Sequence, residues 1–233
     1  MKNIKVGASV ICMNPLNIVQ DLLVCEKNGV DYFHLDIMDG SYVPRFGIYP
    51  EVVDEMNKIT SLKFDLHLMV EDVPFSVDQF LPCENIDLVS FHLEGNEGNI
   101  YKIVDQIKGY NVSVGIVINL TTSLDHVAQI INDNEIDSIM FMGIHPGVLI
   151  QKHRPLQVLR NFENLIKKVN LPSSVQCDGG VNFDTIPSLI KSGINSLVCG
   201  SSTLFKNINS ANNSNEKELL ISLNMDKIRS LTC

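Results

Sequence analysis

The run Tyr32-Phe33-His34-Leu35-Asp36-Ile37-Met38-Asp39-Gly40 alternates in character, so His34 and Asp36 fall on one face of a strand while Leu35 and Ile37 fall on the other. The arrangement returns in Lys63-Phe64-Asp65-Leu66-His67-Leu68-Met69-Val70, with His67 between apolar neighbours. Working outward from these two stretches, short β-branched runs alternate with amphipathic segments of helical period, the pattern of a parallel sheet built from βα units. Eight strands are predicted, at Lys5–Ser9, Tyr32–Ile37, Phe64–Met69, Leu88–His92, Ser113–Ile118, Ser138–Met142, Ser174–Cys177 and Ser196–Cys199. Helices are predicted between them at Asn17–Asn28, Pro50–Lys58, Pro74–Leu81, Asn99–Gly109, Leu124–Asp133, Pro155–Lys168, Phe183–Ser192 and Glu216–Leu231. Pro50, Pro74 and Pro155 suit first helical turns, where a missing N–H is no loss.

Eight strands and eight helices in 233 residues fit a (β/α)8 TIM barrel, typically of roughly 250 residues. An open doubly wound sheet would be expected to carry Gly-x-Gly-x-x-Gly after an early strand, and none is present. A single barrel domain over residues 1–233 is therefore predicted, with the asparagine- and serine-rich stretch 207–215 as a flexible loop before the last helix.

The composition is that of a globular protein, with 45% hydrophobic and 19% charged residues. A formal net charge of −9 and the lack of a basic patch argue against nucleic acid and anionic lipid as partners. An anionic ligand must then be small and held locally, most readily by backbone N–H groups. The six cysteines (Cys12, Cys25, Cys83, Cys177, Cys199 and Cys233) form no Cys-x-x-Cys pair and read mostly as small core residues. Neither a signal-peptide stretch nor a membrane-length apolar run is seen, so a reducing, cytoplasmic setting is expected.

In such a barrel the reactive groups are expected at the C-terminal strand ends, over apolar interior layers. His34, Asp36 and His67 meet that description, as does Asp178 in Gln176-Cys177-Asp178-Gly179-Gly180. Two imidazoles and two carboxylates converging from three strands make a mixed nitrogen and oxygen site suited to Zn²⁺, Fe²⁺, Mn²⁺ or Co²⁺. Taken singly, a histidine at a strand end is more often structural, and an aspartate there is often a helix cap. Their joint placement points to one metal.

The chain resembles the ribulose-phosphate 3-epimerases and their relatives acting on ketohexose phosphates. The matching pieces are Ser9-Val10-Ile11, His34 to Gly40 followed by Val43-Pro44, Asp65 to Val70, and His92-Leu93-Glu94. Gly115 to Asn119 with Thr122, Met142 followed by His145-Pro146-Gly147, Asp178-Gly179-Gly180-Val181 and Gly200-Ser201 complete them. The resemblance implies that His34, Asp36, His67 and Asp178 hold one divalent ion, usually zinc or iron in this family, with Asp36 and Asp178 as the acid/base pair. Inverting a carbon beside a carbonyl requires proton removal from one face and return to the other. Carboxylates on opposite sides of the ring of strands would flank the substrate in that way, and the metal would stabilise the enediolate.

The resemblance also implies that Ser9 bonds a substrate hydroxyl, although alone it reads as a turn or capping serine. His67 would belong to the substrate site as well as to the metal. Met38, Met69 and Met142 match methionines that wall the family's site; the plain alternative is core packing. Gly147, Gly179, Gly180, Gly200 and Ser201 would approach the phosphate, although glycine pairs also mark ordinary turns. The implied partner is a ketose phosphate. Barrels of this kind often self-associate, but the sequence shows no homo-oligomer interface.

Several positions depart from the family's pattern. The family usually continues Pro-Gly with Phe-Gly-Gly-Gln, whereas this chain has Pro146-Gly147-Val148-Leu149-Ile150-Gln151, with bulky residues where glycines are expected. His145 stands at a position usually acidic, and Arg45 replaces an asparagine, adding positive character that suggests an altered or longer anionic substrate unless Arg45 is simply solvated. Cys12-Met13-Asn14 leans toward the relatives acting on allulose 6-phosphate. D-ribulose 5-phosphate to D-xylulose 5-phosphate is the expected conversion, with D-allulose 6-phosphate epimerisation or noncatalytic sugar-phosphate binding as alternatives. A related decarboxylase would show Asp-x-Lys-x-x-Asp, and Asp36-Ile37-Met38-Asp39 has no lysine.

Overall fold

The computed structural model describes residues 4–147, 155–211 and 213–232, excluding the side chains of residues 155 and 156. Eight parallel strands close into a barrel in sequence order: β1 (Lys5–Ser9), β2 (Tyr32–Met38), β3 (Phe64–Met69), β4 (Ile86–His92), β5 (Ser113–Ile118), β6 (Ser138–Met142), β7 (Ser174–Asp178) and β8 (Ser196–Cys199). The connecting helices are α1 (Ile18–Lys27), α2 (Pro50–Asn57), α3 (Val73–Phe80), α4 (Ile100–Gly109), α5 (Leu124–Asp133), α6 (Pro155–Leu165), α7 (Ile186–Ser192) and α8 (Ser214–Thr232). This is a single-domain (β/α)8 barrel, as the alternating pattern predicts.

The principal core lies outside the strand ring, between sheet and helices, where Phe33, Phe64, Phe91 and Phe141 are fully buried. The inside of the ring corrects the expectation of apolar layers. Tyr32 reaches across to hydrogen-bond with Ser196 at 2.9 Å, Ser138 donates to Ser174 at 3.0 Å, and Gln176 and Ser90 are buried nearby. Small residues make room for these groups: a Cβ at Gly7 would lie 2.3 Å from the Tyr32 ring, and one at Gly115 would lie 2.2 Å from Ser90 Oγ.

The predicted element boundaries shift where local caps decide them. Asp72 caps α3 by accepting the Phe75 N–H at 3.0 Å, so that helix starts at Val73. The start predicted at Phe183 moves to Ile186, because Asn182 Oδ1 accepts the N–H groups of Asp184 and Thr185 in a tight turn. The 207–215 stretch is not one loop. Ile208–Ser210 forms a 3₁₀ turn and α8 begins at Ser214; Asn212 lies outside the described residues. Among the described residues, no helix is long and apolar enough to cross a membrane.

Candidate metal and sugar-phosphate site

Strand register brings the polar residues together. In the β2–β3 pairing, His34 lies beside Asp65, Asp36 beside His67 and Met38 beside Met69; in the β6–β7 pairing, Met142 lies beside Asp178. His34 and His67 are fully buried, Asp36 is nearly so, and Asp178 is half-buried at the rim. One ligand atom from each of these residues lies within 4.8 Å of all the others.

The distances suit a shared cation. His67 Nδ1 lies 3.5 Å from Asp36 Oδ1 and 3.4 Å from Asp178 Oδ2, and His34 Nε2 lies 3.6 Å and 4.0 Å from the same two oxygens. Donors about 2.0–2.2 Å from one tetrahedral ion would stand about 3.3–3.6 Å apart, close to this spacing. Among the described residues, His34 Nε2 and His67 Nδ1 are both buried without a hydrogen-bond partner, although each faces carboxylates. Such inward-facing nitrogens are what a bound cation would satisfy. The residues fit a divalent transition metal.

Electrostatics follow from the clustering. Burial opposes a charged ring at His34, but Asp36 and Asp65 outweigh it and hold the imidazole well above its usual range. His67 is raised in the same way, burial being outweighed chiefly by Asp178 and then Asp36. Burial would push Asp36 upward, but His34 and His67 hold it well below the usual carboxylate range. His92 goes the other way, pushed down by burial to about 4 despite Glu94.

A cleft of about 390 Å³ opens over this cluster. Ser9, Asp36 and Asp178 line it together with Met38, Met69 and Met142. Gly147, Gly179, Gly180, Gly200 and Ser201 complete the rim on the β6 to β8 side. Ser9 makes no side-chain cap for the short 3₁₀ turn that follows it; its hydroxyl donates instead to Asp36 Oδ2 at 3.2 Å. The three methionines stand apart from the principal core, in two small clusters that include Val43 and Val117. Gly179 holds a φ of 78°, and a side chain there would meet Ile144 Cγ1 at 2.3 Å.

Two sequence expectations shift. His67 does not line the cleft; it lies fully buried behind the carboxylates. Asp36 and Asp178 flank the β1–β8 seam rather than stand on opposite sides of the ring, because β1 and β8 alone separate β2 from β7 on that side. Of the two added basic residues, Arg45 lines the cleft and His145 is exposed outside it. Residues 148–151, where the atypical loop was noted, lie outside the described residues.

Sequence reasoning gave no role to Asp65, which meets His34 Nδ1 at 3.3 Å, or to His92, whose Nε2 lies 2.9 Å from His67 Nε2. The signal was available in part. Asp65 is two residues before His67, and Ser90, His92 and Glu94 continue the same period on and beyond β4.

Residues 5–205 match the model of the ribulose-phosphate 3 epimerase family. A ribulose-phosphate 3-epimerase of Methanocaldococcus jannaschii is 30% identical over 205 residues, covering 87% of this chain and 85% of the relative. That of Buchnera aphidicola is 31% identical over 214 residues, covering 90% and 92%. Among solved structures, a mutant tryptophan synthase alpha-subunit from Pyrococcus furiosus superposes with a TM-score of 0.69 at 12% identity, covering 98% of each chain. The 3-hexulose-6-phosphate synthase of Salmonella typhimurium gives 0.65 at 12% identity, covering 95% of this chain and 98% of its own. At that identity the structures speak for the fold alone.

Proposed function

The chain belongs to the ribulose-phosphate 3-epimerase family and is an isomerase, and we propose that it interconverts D-ribulose 5-phosphate and D-xylulose 5-phosphate by moving the proton at C3. The observation that carries this reading is the pair of carboxylates, Asp36 and Asp178, meeting at the cleft floor around two partnerless imidazole nitrogens.

Epimerisation at C3 removes a proton from one face of the carbon and returns one to the other. Asp36 from β2 and Asp178 from β7 both reach the cleft from either side of the β1–β8 seam, so a ketose lying over that seam has a carboxylate at each face. One takes the C3 proton and the other delivers its replacement, and the roles exchange in the reverse reaction. Ser9, already donating to Asp36, orients that carboxylate and offers its oxygen to a substrate hydroxyl. Met38, Met69 and Met142 form an apolar, polarisable wall that limits water around the carbanionic carbon.

His34 Nε2, Asp36, His67 Nδ1 and Asp178 would hold a divalent metal, zinc or iron first and manganese or cobalt next. When bound, such an ion is a Lewis acid that stabilises negative charge on the substrate oxygens by about several kcal/mol. The phosphate is assigned to the rim formed by Gly147, Gly179, Gly180, Gly200 and Ser201, where glycine lets the backbone approach closely.

A hexulose phosphate is the second reading, favoured by Cys12 and Arg45 both lining the cleft. The test is proton exchange in D₂O followed by NMR, with ribulose 5-phosphate and allulose 6-phosphate in parallel. Deuterium at C3 of ribulose 5-phosphate with formation of xylulose 5-phosphate is the expected result. Exchange confined to allulose 6-phosphate would shift the assignment to the hexulose, and no exchange with either would leave only a binding protein. Metal analysis should find about one divalent ion per chain, and full turnover by metal-free protein would reject the Lewis-acid role.

A further inference from the structure

Behind the cluster runs a chain of polar side chains that ends outside it. His67 Nε2 lies 2.9 Å from His92 Nε2, with the two rings inclined by only 27°. His92 Nδ1 faces Glu94 Oε2 at 3.6 Å, and the other Glu94 oxygen accepts the Thr122 hydroxyl. The Tyr42 ring packs on His92 with centroids 5.1 Å apart. Among the described residues, His92 Nδ1 and Glu94 Oε2 are buried without another hydrogen-bond partner, so each is answered by the other.

The direction of this chain is fixed at its Glu94 end. A neutral imidazole carries one N–H, and a carboxylate faced by an imidazole nitrogen favours N–H over a lone pair. The Glu94 charge therefore selects Nδ1–H on His92 and leaves His92 Nε2 bare. A bare Nε2 at 2.9 Å must accept, so His67 donates through Nε2, and in the neutral ring that a metal ligand must be its lone pair falls on Nδ1. That lone pair points toward Asp36 Oδ1 and Asp178 Oδ2 at 3.5 Å and 3.4 Å. A lone pair facing two carboxylates is unfavourable unless a cation sits among them. With the opposite tautomer, His92 would turn its lone pair on Glu94, and His67 would close the site with an N–H.

We propose that Glu94, acting through His92, is a positioning residue that presents the Nδ1 lone pair of His67 to a divalent cation. The proposal rests on the metal reading above and extends it along the neighbouring strand. His34 is served directly by Asp65, whereas His67 is served by a two-residue relay, and Thr122 anchors its far end. Such outer partners fix ring orientation and raise ligand basicity, and losing one typically costs about 10- to 100-fold in metal affinity.

Co²⁺ affinity, measured by competition with a chromophoric chelator, tests this on the full chain. His92→Phe and Glu94→Ala should each weaken binding by about 10- to 100-fold. The double variant should bind no more weakly than His92→Phe, because Glu94 acts only through His92. Nitrogen-15 spectra of the wild-type protein should show His92 as the Nδ1–H tautomer, a readout that needs no variant to fold. Affinities within twofold of wild type, additive losses, or a His92 Nε2–H tautomer would each overturn the relay while leaving the metal site standing. Wild-type protein that takes up no Co²⁺ would overturn the metal reading and the relay with it.

Discussion

Asp178 ends β7 with its carboxylate open to the cleft on one side and 3.4 Å from His67 Nδ1 on the other. Asp178→Asn keeps the shape and removes the basicity, so turnover should fall by about 10²–10⁴-fold while the thermal midpoint stays close to wild type. Near-wild-type C3 exchange in that variant would remove Asp178 from proton transfer. Its candidacy was legible in the sequence, as were His34, Asp36 and His67, because residues that each have an ordinary explanation fall together at the C-terminal ends of three strands of one barrel. Asp65, His92 and Glu94 were not assigned, for a different reason. Their significance depends on neighbours from the adjoining strand, Asp65 in register with His34 and His92 reaching His67 through its side chain, and one strand read alone does not contain that.

The β2–α2 connection is an element held by one carboxylate. Asp39 accepts the N–H groups of Ser41 and Tyr42 at 2.9 Å and of Glu71 at 2.7 Å, tying this connection to the one after β3 beside Met38 and Met69. Burial would raise Asp39, but the backbone N–H groups of Glu71, Ser41 and Tyr42 outweigh it and hold it below the usual carboxylate range. With the folded value below the unfolded one, the stabilisation is fully present above about pH 4 and is lost as pH falls through the folded value. Asp39→Asn should therefore destabilise the protein at pH 7 by about 1 kcal/mol, allowing for solvent screening. The difference in urea midpoint should shrink below about pH 4; a difference constant from pH 7 to pH 3 would exclude a role for the charge. Element boundaries show the same dependence on single contacts. The run 207–215 reads as loop from its composition, yet Asn213 Oδ1 accepts the Glu216 N–H at 3.0 Å and starts α8 inside it. Asparagine serves loops and caps alike, so composition alone does not separate them.

At the scale of the whole molecule, closure is the demanding step, because the barrel is complete only when its last βα unit meets its first. The β1–β8 pairing joins Lys5 to Ser196 and Ala8 to Cys199, and α8 clasps the start of the chain at two points. Arg229 donates to Ile4 O at 3.0 Å, Gly29 O at 2.7 Å and Asp31 Oδ2 at 2.8 Å, while Lys217 reaches both oxygens of buried Asp21 at 2.6 and 2.7 Å. None of these residues lines the cleft, so the clasp stabilises the scaffold without taking part in the chemistry. Asp21 is only 1% exposed and also accepts the Asn14 N–H at 2.9 Å, so removing its cation leaves a buried charge with partial compensation. Lys217→Met should accordingly cost about 3–5 kcal/mol in urea unfolding, a large share of an ordinary domain's stability, with kcat of the folded fraction unchanged. Adding Asp21→Leu removes the orphaned charge and should recover part of the loss. Recovery should be incomplete, because the Asn14 N–H then lacks its acceptor at a cost of about 1–3 kcal/mol. If the single and double variants unfold at the same midpoint, the ion pair is not what Lys217 contributes, and the clasp at that end of α8 must be attributed to packing of its aliphatic stem.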